Sequence, residues 1–167
     1  MQRLLISDTN IFIDMKAGKL VEEVFQLPFN LATPDILFQE ELSAHHSDLT
    51  ALGLTQMELN STSMIYVGGD LANKYPKESF HDRLALALAK QESCILLTGD
   101  KGLRTAAKVE NVECHGTIWI IERLIDEQII GINRAFDCYD LMKTNGRRLD
   151  FPMARGRLET LRPDIGP

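Results

Sequence analysis

Residues 4–10 read Leu4-Leu5-Ile6-Ser7-Asp8-Thr9-Asn10, and this stretch decides the fold. A short apolar run that stops at a small polar residue and an acid suits a strand covered on both faces. Similar runs recur at 29–32, 64–67 and 94–97, with a weaker one at 112–114. Between them the spacing of apolar residues predicts helices over 11–17, 20–27, 36–45, 49–59, 70–75, 80–91 and 103–109. Strands that alternate with helices need crossover connections. The expected fold is therefore a three-layer α/β/α domain with a mainly parallel sheet of about five strands.

Past residue 116 the strand signals cease. A helix is predicted over 117–127, and Ile132, Ala135, Phe136, Tyr139 and Met142 then recur at helical spacing until Asn145-Gly146 stops them. A last short helix fits 154–161. The expected organisation is one α/β unit over 1–127 and a helical C-terminal extension over 128–167, packed on the same domain.

The 167 residues suffice for one domain with a real core, with no need of a disulfide or structural metal. A hydrophobic fraction of 44% and a charged fraction of 25% are ordinary for a soluble protein. The longest apolar runs fall far short of the roughly 20 residues that span a bilayer. Asp8, Asn10 and Asp14 interrupt any leader-like stretch, so the chain reads as cytoplasmic. Cys94, Cys114 and Cys138 have no paired spacing and read as reduced, mostly buried thiols rather than zinc ligands. The net charge of −6 argues against a nucleic-acid partner, which usually calls for a basic surface.

Ligands of such sheets sit at the carboxyl ends of the strands. Asp8 follows the first strand directly, and Asp100 follows the strand at 94–97 in the turn Thr98-Gly99-Asp100-Lys101-Gly102. Asp82 lies in the first turn of a helix that starts from that same edge. On a helical wheel with Leu37 at zero, Glu41 falls at about 40°, inside the apolar stripe, and Glu40 at about −60°, at its margin. Each acid also has a structural use: Asp8 as a helix cap, Asp82 as partner of Ser79 in a capping box, Asp100 as a turn residue, Glu41 as a boundary residue. Four converging carboxylates without a basic partner raise one another's pKa, and a divalent cation removes the conflict. Oxygen ligands without Cys or His point to Mg²⁺ or Mn²⁺.

These segments resemble the PIN-domain family of small metal-dependent ribonucleases, which includes VapC-type toxins. The matching pieces are residues 4–10, Phe38-Gln39-Glu40-Glu41-Leu42, the stretch His81-Asp82-Arg83-Leu84-Ala85-Leu86-Ala87-Leu88-Ala89, and Leu96-Leu97-Thr98-Gly99-Asp100, in that order over roughly residues 1–127. The resemblance implies that Asp8, Glu41, Asp82 and Asp100 are the catalytic, metal-binding acids, with Asn10 and Thr98 supporting them. It implies a parallel sheet with the first strand central and the strand before Asp100 beside it. It further implies an Mg²⁺- or Mn²⁺-dependent endoribonuclease, the toxin of a toxin–antitoxin pair, with RNA as substrate, a small antitoxin protein as partner, and a homodimer. The tail from Thr117 on, with Gly146-Arg147-Arg148-Leu149, resembles that of a PIN subfamily encoded beside a small partner gene. Glu40 beside Glu41 leaves two choices for the second acid, and His45, one turn beyond Glu41, reads as a core or rim histidine.

Two rivals stand beside this reading. An aspartyl phosphatase of the haloacid-dehalogenase type would use Asp8 as nucleophile, but its usual second acid is here Asn10. A catalytically inactive binding module for RNA or a protein would use the acids only as caps. The charge objection softens when the distribution is read. Over 143–157, Lys143, Arg147, Arg148, Arg155 and Arg157 stand against Asp150 alone, a segment of +4 that leaves −10 for the rest. Lys101, Arg104 and Lys108 add positive charge beside Asp100, and Lys101 and Arg104 are the RNA-binding candidates.

Overall fold

A computed structural model describes residues 3–162; residues 1–2 and 163–167, the ends of the two expected units, lie outside the described residues. Five parallel strands form one sheet in the order β3-β2-β1-β4-β5. They are β1 (Arg3–Ser7), β2 (Phe29–Pro34), β3 (Thr55–Met57), β4 (Ile95–Leu97) and β5 (Cys114–His115). The central β1 pairs with β2 on one side, Leu5 opposite Leu31, and with β4 on the other, Leu5 opposite Ile95. Side chains alternate between faces, so two cores form. Leu5, Leu31, Ile95 and Leu97 face one core, and Ile6, Ala32 and Leu96 face the other. The expected three-layer α/β/α fold is the observed one.

The first core lies under α1 (Thr9–Ala17), α2 (Val21–Val24), α9 (Thr117–Asp126), α10 (Ile132–Thr144) and α11 (Phe151–Leu161). Phe136, Tyr139, Met142, Phe151 and Leu158 of the last two helices share that core with Leu5, Ile11 and Phe12. Helix α10 presses close at Gly18, where a Cβ would stand 2.6 Å from the Met142 methyl. An ion pair and a hydrogen bond fasten the same region: Arg147 Nε donates to the buried Asp14 at 2.6 Å, and Thr117 Oγ1 donates to its other oxygen at 2.7 Å. Helix α11 begins three residues before its expected start, because Asp150 caps it by accepting from Met153 N at 3.0 Å.

The remaining helices divide between the two cores. These are α3 (Asp35–Leu37) with a π-helical turn (Phe38–Leu42), α4 (Asp48–Leu52), α5 (Ser61–Tyr66) with a second π-helical turn (Val67–Leu71), α6 (Ala72–Lys74), α7 (Phe80–Gln91) and α8 (Lys101–Val109). Leu37, Phe38, Leu42 and Leu49 of α3, its π-helical turn and α4 join the first core, while α5 to α8 supply most of the second, through Val67, Leu71, Leu84, Leu88 and Leu103. Among the described residues no helix is long and apolar enough to cross a membrane.

Two expectations fail here. The run at 64–67 is helical, not a strand: Asn60 caps α5 through Ser63 N at 2.8 Å, Met64, Val67 and Leu71 face the core, and Ile65 points outward, 76% exposed. The third strand lies instead within 49–59, read as a helix. Thr55–Met57 is an edge strand with only Met57 partly buried, so it lacks the apolar run that marks a buried strand.

Candidate functional site

At the carboxyl edge, β1 delivers Asp8 and β4 delivers Thr98 and Asp100 side by side. Thr98 is fully buried and joins the two: its hydroxyl donates to Asp8 Oδ2 and accepts from the Asp100 amide at 3.1 Å. The other Asp8 oxygen caps α1, accepting from Ile11 N at 3.2 Å. Only 3% of Asp8 is exposed, and burial pushes its carboxyl up to about 7 against the opposing pull of Thr98 and Ile11; the Asp82 charge adds to the rise. Asp100 caps α8 by accepting from Gly102 N at 2.8 Å. Both strand-end acids thus hold their helices and still gather at one edge.

Asp82 forms the expected capping box, its amide donating to Ser79 Oγ at 3.0 Å while its carboxylate accepts from Ser79 N at 3.4 Å. It also belongs to a cluster. Glu78, Asp82 and Asp100 each offer a carboxylate oxygen, all within 4.8 Å of one another. Glu78 is the member that sequence reasoning missed. It directly precedes the Ser79 cap, and its carboxylate lies over Gly102, where any Cβ would collide with Oε1. The signal that would have found it is an acid immediately before a helix cap at the carboxyl edge. Burial, then the charges of Asp100 and Asp82, push Glu78 up to about 7, and burial with the charges of Asp100 and Glu41 raises Asp82.

The wheel reading of Glu41 does not hold. Residues Phe38–Leu42 close an i→i+5 bond, Ser43 N to Phe38 O at 2.8 Å, which adds a residue to the turn and rotates both glutamates outward. Glu41 is exposed, and it accepts from Thr9 Oγ1 and lies 2.6 Å from His81 Nδ1. Glu40 takes the other ring nitrogen of His81 at 2.5 Å. Of the two, Glu41 is the one whose charge is felt at Asp82. His45 is exposed at the rim, its carbonyl accepting from Lys16 at 3.3 Å.

Asn10 is exposed and lines a cavity of about 250 Å³ beside Asp100, together with Gly99, Arg147 and Arg148. Lys101 is exposed at the start of α8, and Arg104 one turn on packs over Gly116. The basic C-terminal segment is less available than its charge suggests. Arg147 pairs with Asp14, Arg155 with Asp140 at 2.7 Å and Arg157 with Glu122.

Chemically, the cluster is oxygen-only and has no Lys or Arg side chain paired with its carboxylates among the described residues. Like charges held this close are stabilised by a hard divalent cation, so the donor set fits one. A family model described as a PIN domain matches residues 4–162. No protein of curated function matches the chain.

Proposed function

The chain belongs to the PIN-domain family, and from that premise we propose that it is a Mg²⁺- or Mn²⁺-dependent endoribonuclease, the toxin of a toxin–antitoxin pair. The observation that carries this reading is the convergence of Glu78, Asp82 and Asp100 within 4.8 Å, beside buried Asp8. A bound divalent cation supplies the charge that lets a phosphate approach and a water attack it. Asp82 and Asp100, both fixed by helix caps, hold that ion with Glu78. Asp8 and Glu41 complete the acidic ring, Asp8 held in place by Thr98 and Glu41 by Thr9 and His81. Asn10 faces the substrate from the cavity beside Asp100, and Lys101 and Arg104 draw in the strand.

The rest of the proposal follows the family resemblance: a cytoplasmic homodimer held in check by a small antitoxin protein, with residues 1–127 as the nuclease unit and 128–167 as its extension. Burial of Asp8 and the engagement of both its oxygens disfavour a phosphatase, whose nucleophile must reach a phosphorus atom. Clustering of Glu78 with Asp82 and Asp100 disfavours a module that uses its acids only as caps, because Glu78 caps nothing.

The nature of the cut tests the chemistry. If water attacks, replacing the RNA 2′-hydroxyl at the cleaved position by hydrogen leaves cleavage within about tenfold. Loss of cleavage with that substrate, together with a 2′,3′-cyclic phosphate product from RNA, would contradict it.

A further inference from the structure

Beside the acids lies a second, larger cavity of about 490 Å³, between α8, the start of α9 and the C-terminal extension. Its walls mix two chemistries. His115 and Trp119 lie flat on one another, centroids 4.4 Å apart and 9° from parallel, and Arg104 of α8 and Arg148, ahead of α11, line the cavity with them. Three arginines and two acids line it, but Arg157 is held by Glu122, and Asp150 caps α11. Among the described residues, Arg104 and Arg148 pair with no carboxylate.

The two cavities adjoin. Gly99 and Arg148 line both this one and the cavity beside Asp100. No side chain crowds the wall they share at Gly99, with nothing within 4 Å of where its Cβ would stand. Unpaired guanidinium groups suit phosphate oxygens, and aromatic walls suit a nucleobase. A paired base in a duplex cannot enter such a recess, whereas an unstacked base of a single strand can.

We propose that this cavity binds one nucleotide of single-stranded RNA, the one beside the bond that is cut, with Arg148 spanning the step from the acids to the pocket. Its position relative to the cut rests on the nuclease reading; the pocket itself does not. Trp119 is the only tryptophan of the chain, so its fluorescence reports this cavity alone. The probes are AMP, GMP, CMP and UMP, which contain no phosphodiester to cleave, titrated onto the full chain with Mg²⁺ present.

The expected result is saturable quenching of Trp119 by at least one nucleotide and none by inorganic phosphate at equal concentration. Arg148→Gln, checked for native circular dichroism, should shift the midpoint about tenfold. Unchanged emission with all four nucleotides to 10 mM (roughly the limit of weak sites,) overturns the proposal. So does quenching whose midpoint is indifferent to Arg148→Gln and to Arg104→Gln. Quenching without any RNA cleavage upholds the pocket and removes the nuclease reading; cleavage without quenching does the reverse.

Discussion

Thr98 is the residue on which the site's geometry turns. Its hydroxyl serves Asp8 and the Asp100 amide at once, in a position with no exposed surface. Thr98→Val keeps the shape and removes both bonds, so urea unfolding should show a loss of about 2 kcal/mol. Metal affinity should fall roughly 10- to 100-fold, as when an outer partner of a ligand is removed; an unchanged affinity would deny Thr98 that role. Glu78→Gln should act in two directions. Relief of repulsion raises the melting temperature of metal-free protein by about 2–4 °C per kcal/mol gained, while the further rise on adding Mg²⁺ shrinks. An intact Mg²⁺ response would exclude Glu78 from the ion's ligands. Asp8, Asp82 and Asp100 were legible in the sequence because each follows a local signal: a strand end, a capping box, a turn. Glu78 carries only the weaker cue of an acid just ahead of the Ser79 cap. Its place depends on Gly102, 24 positions away, having no side chain to block it.

At the scale of elements, legibility followed burial. The runs at β1, β2 and β4 are apolar because helices cover both faces, and they were read correctly. Edge strand β3 and the outward face of α5 are half-exposed, so hydrophobicity no longer marks their type. The π-helical turn at Phe38–Leu42 defeated a wheel drawn at the α-helical period, which misdirected Glu41. Polar ties between elements were invisible for another reason: they join residues far apart in sequence. Glu110, at the end of α8, is the clearest. It accepts from Tyr66, from Tyr75 at 2.7 Å and from Lys90 at 3.0 Å, gathering α5, α7 and the residue after α6. Burial alone would raise its pKa, but these bonds outweigh burial and hold it at about 2, below the usual 4.5. A depressed carboxyl stabilises fully above its unfolded value and loses that contribution as pH falls from 4.5 toward 2. Glu110→Gln should therefore cost on the order of 3 kcal/mol at pH 7 and much less near pH 2, read by urea unfolding at both. Equal costs at both would mean the charge is not what binds these helices.

For the whole molecule, the net charge of −6 remains the main obstacle to an RNA partner. The C-terminal basic segment answers it only in part, because Arg147, Arg155 and Arg157 are engaged by Asp14, Asp140 and Glu122. What remains near the acids is Lys101, Arg104 and Arg148, and under the proposed nuclease reading a divalent ion cancels negative charge where the phosphate arrives. RNA binding should accordingly strengthen on adding Mg²⁺ and weaken steeply with salt, as followed by anisotropy of a labelled single-stranded oligonucleotide on the Asp8→Asn and wild-type chains. Equal affinity of wild-type protein with and without Mg²⁺ would break this account of charge. The central claim, that these carboxylates cut RNA through a divalent ion, is tested most directly by one assay. Purified wild-type chain and Asp100→Asn, both with native circular dichroism, are incubated with a broad panel of single-stranded RNAs, with Mg²⁺ or Mn²⁺ and with EDTA. The expected result is cleavage by the wild type with metal only, and none by Asp100→Asn. Cleavage that persists in EDTA or in Asp100→Asn, or no cleavage of any RNA by metal-replete wild type, would contradict it.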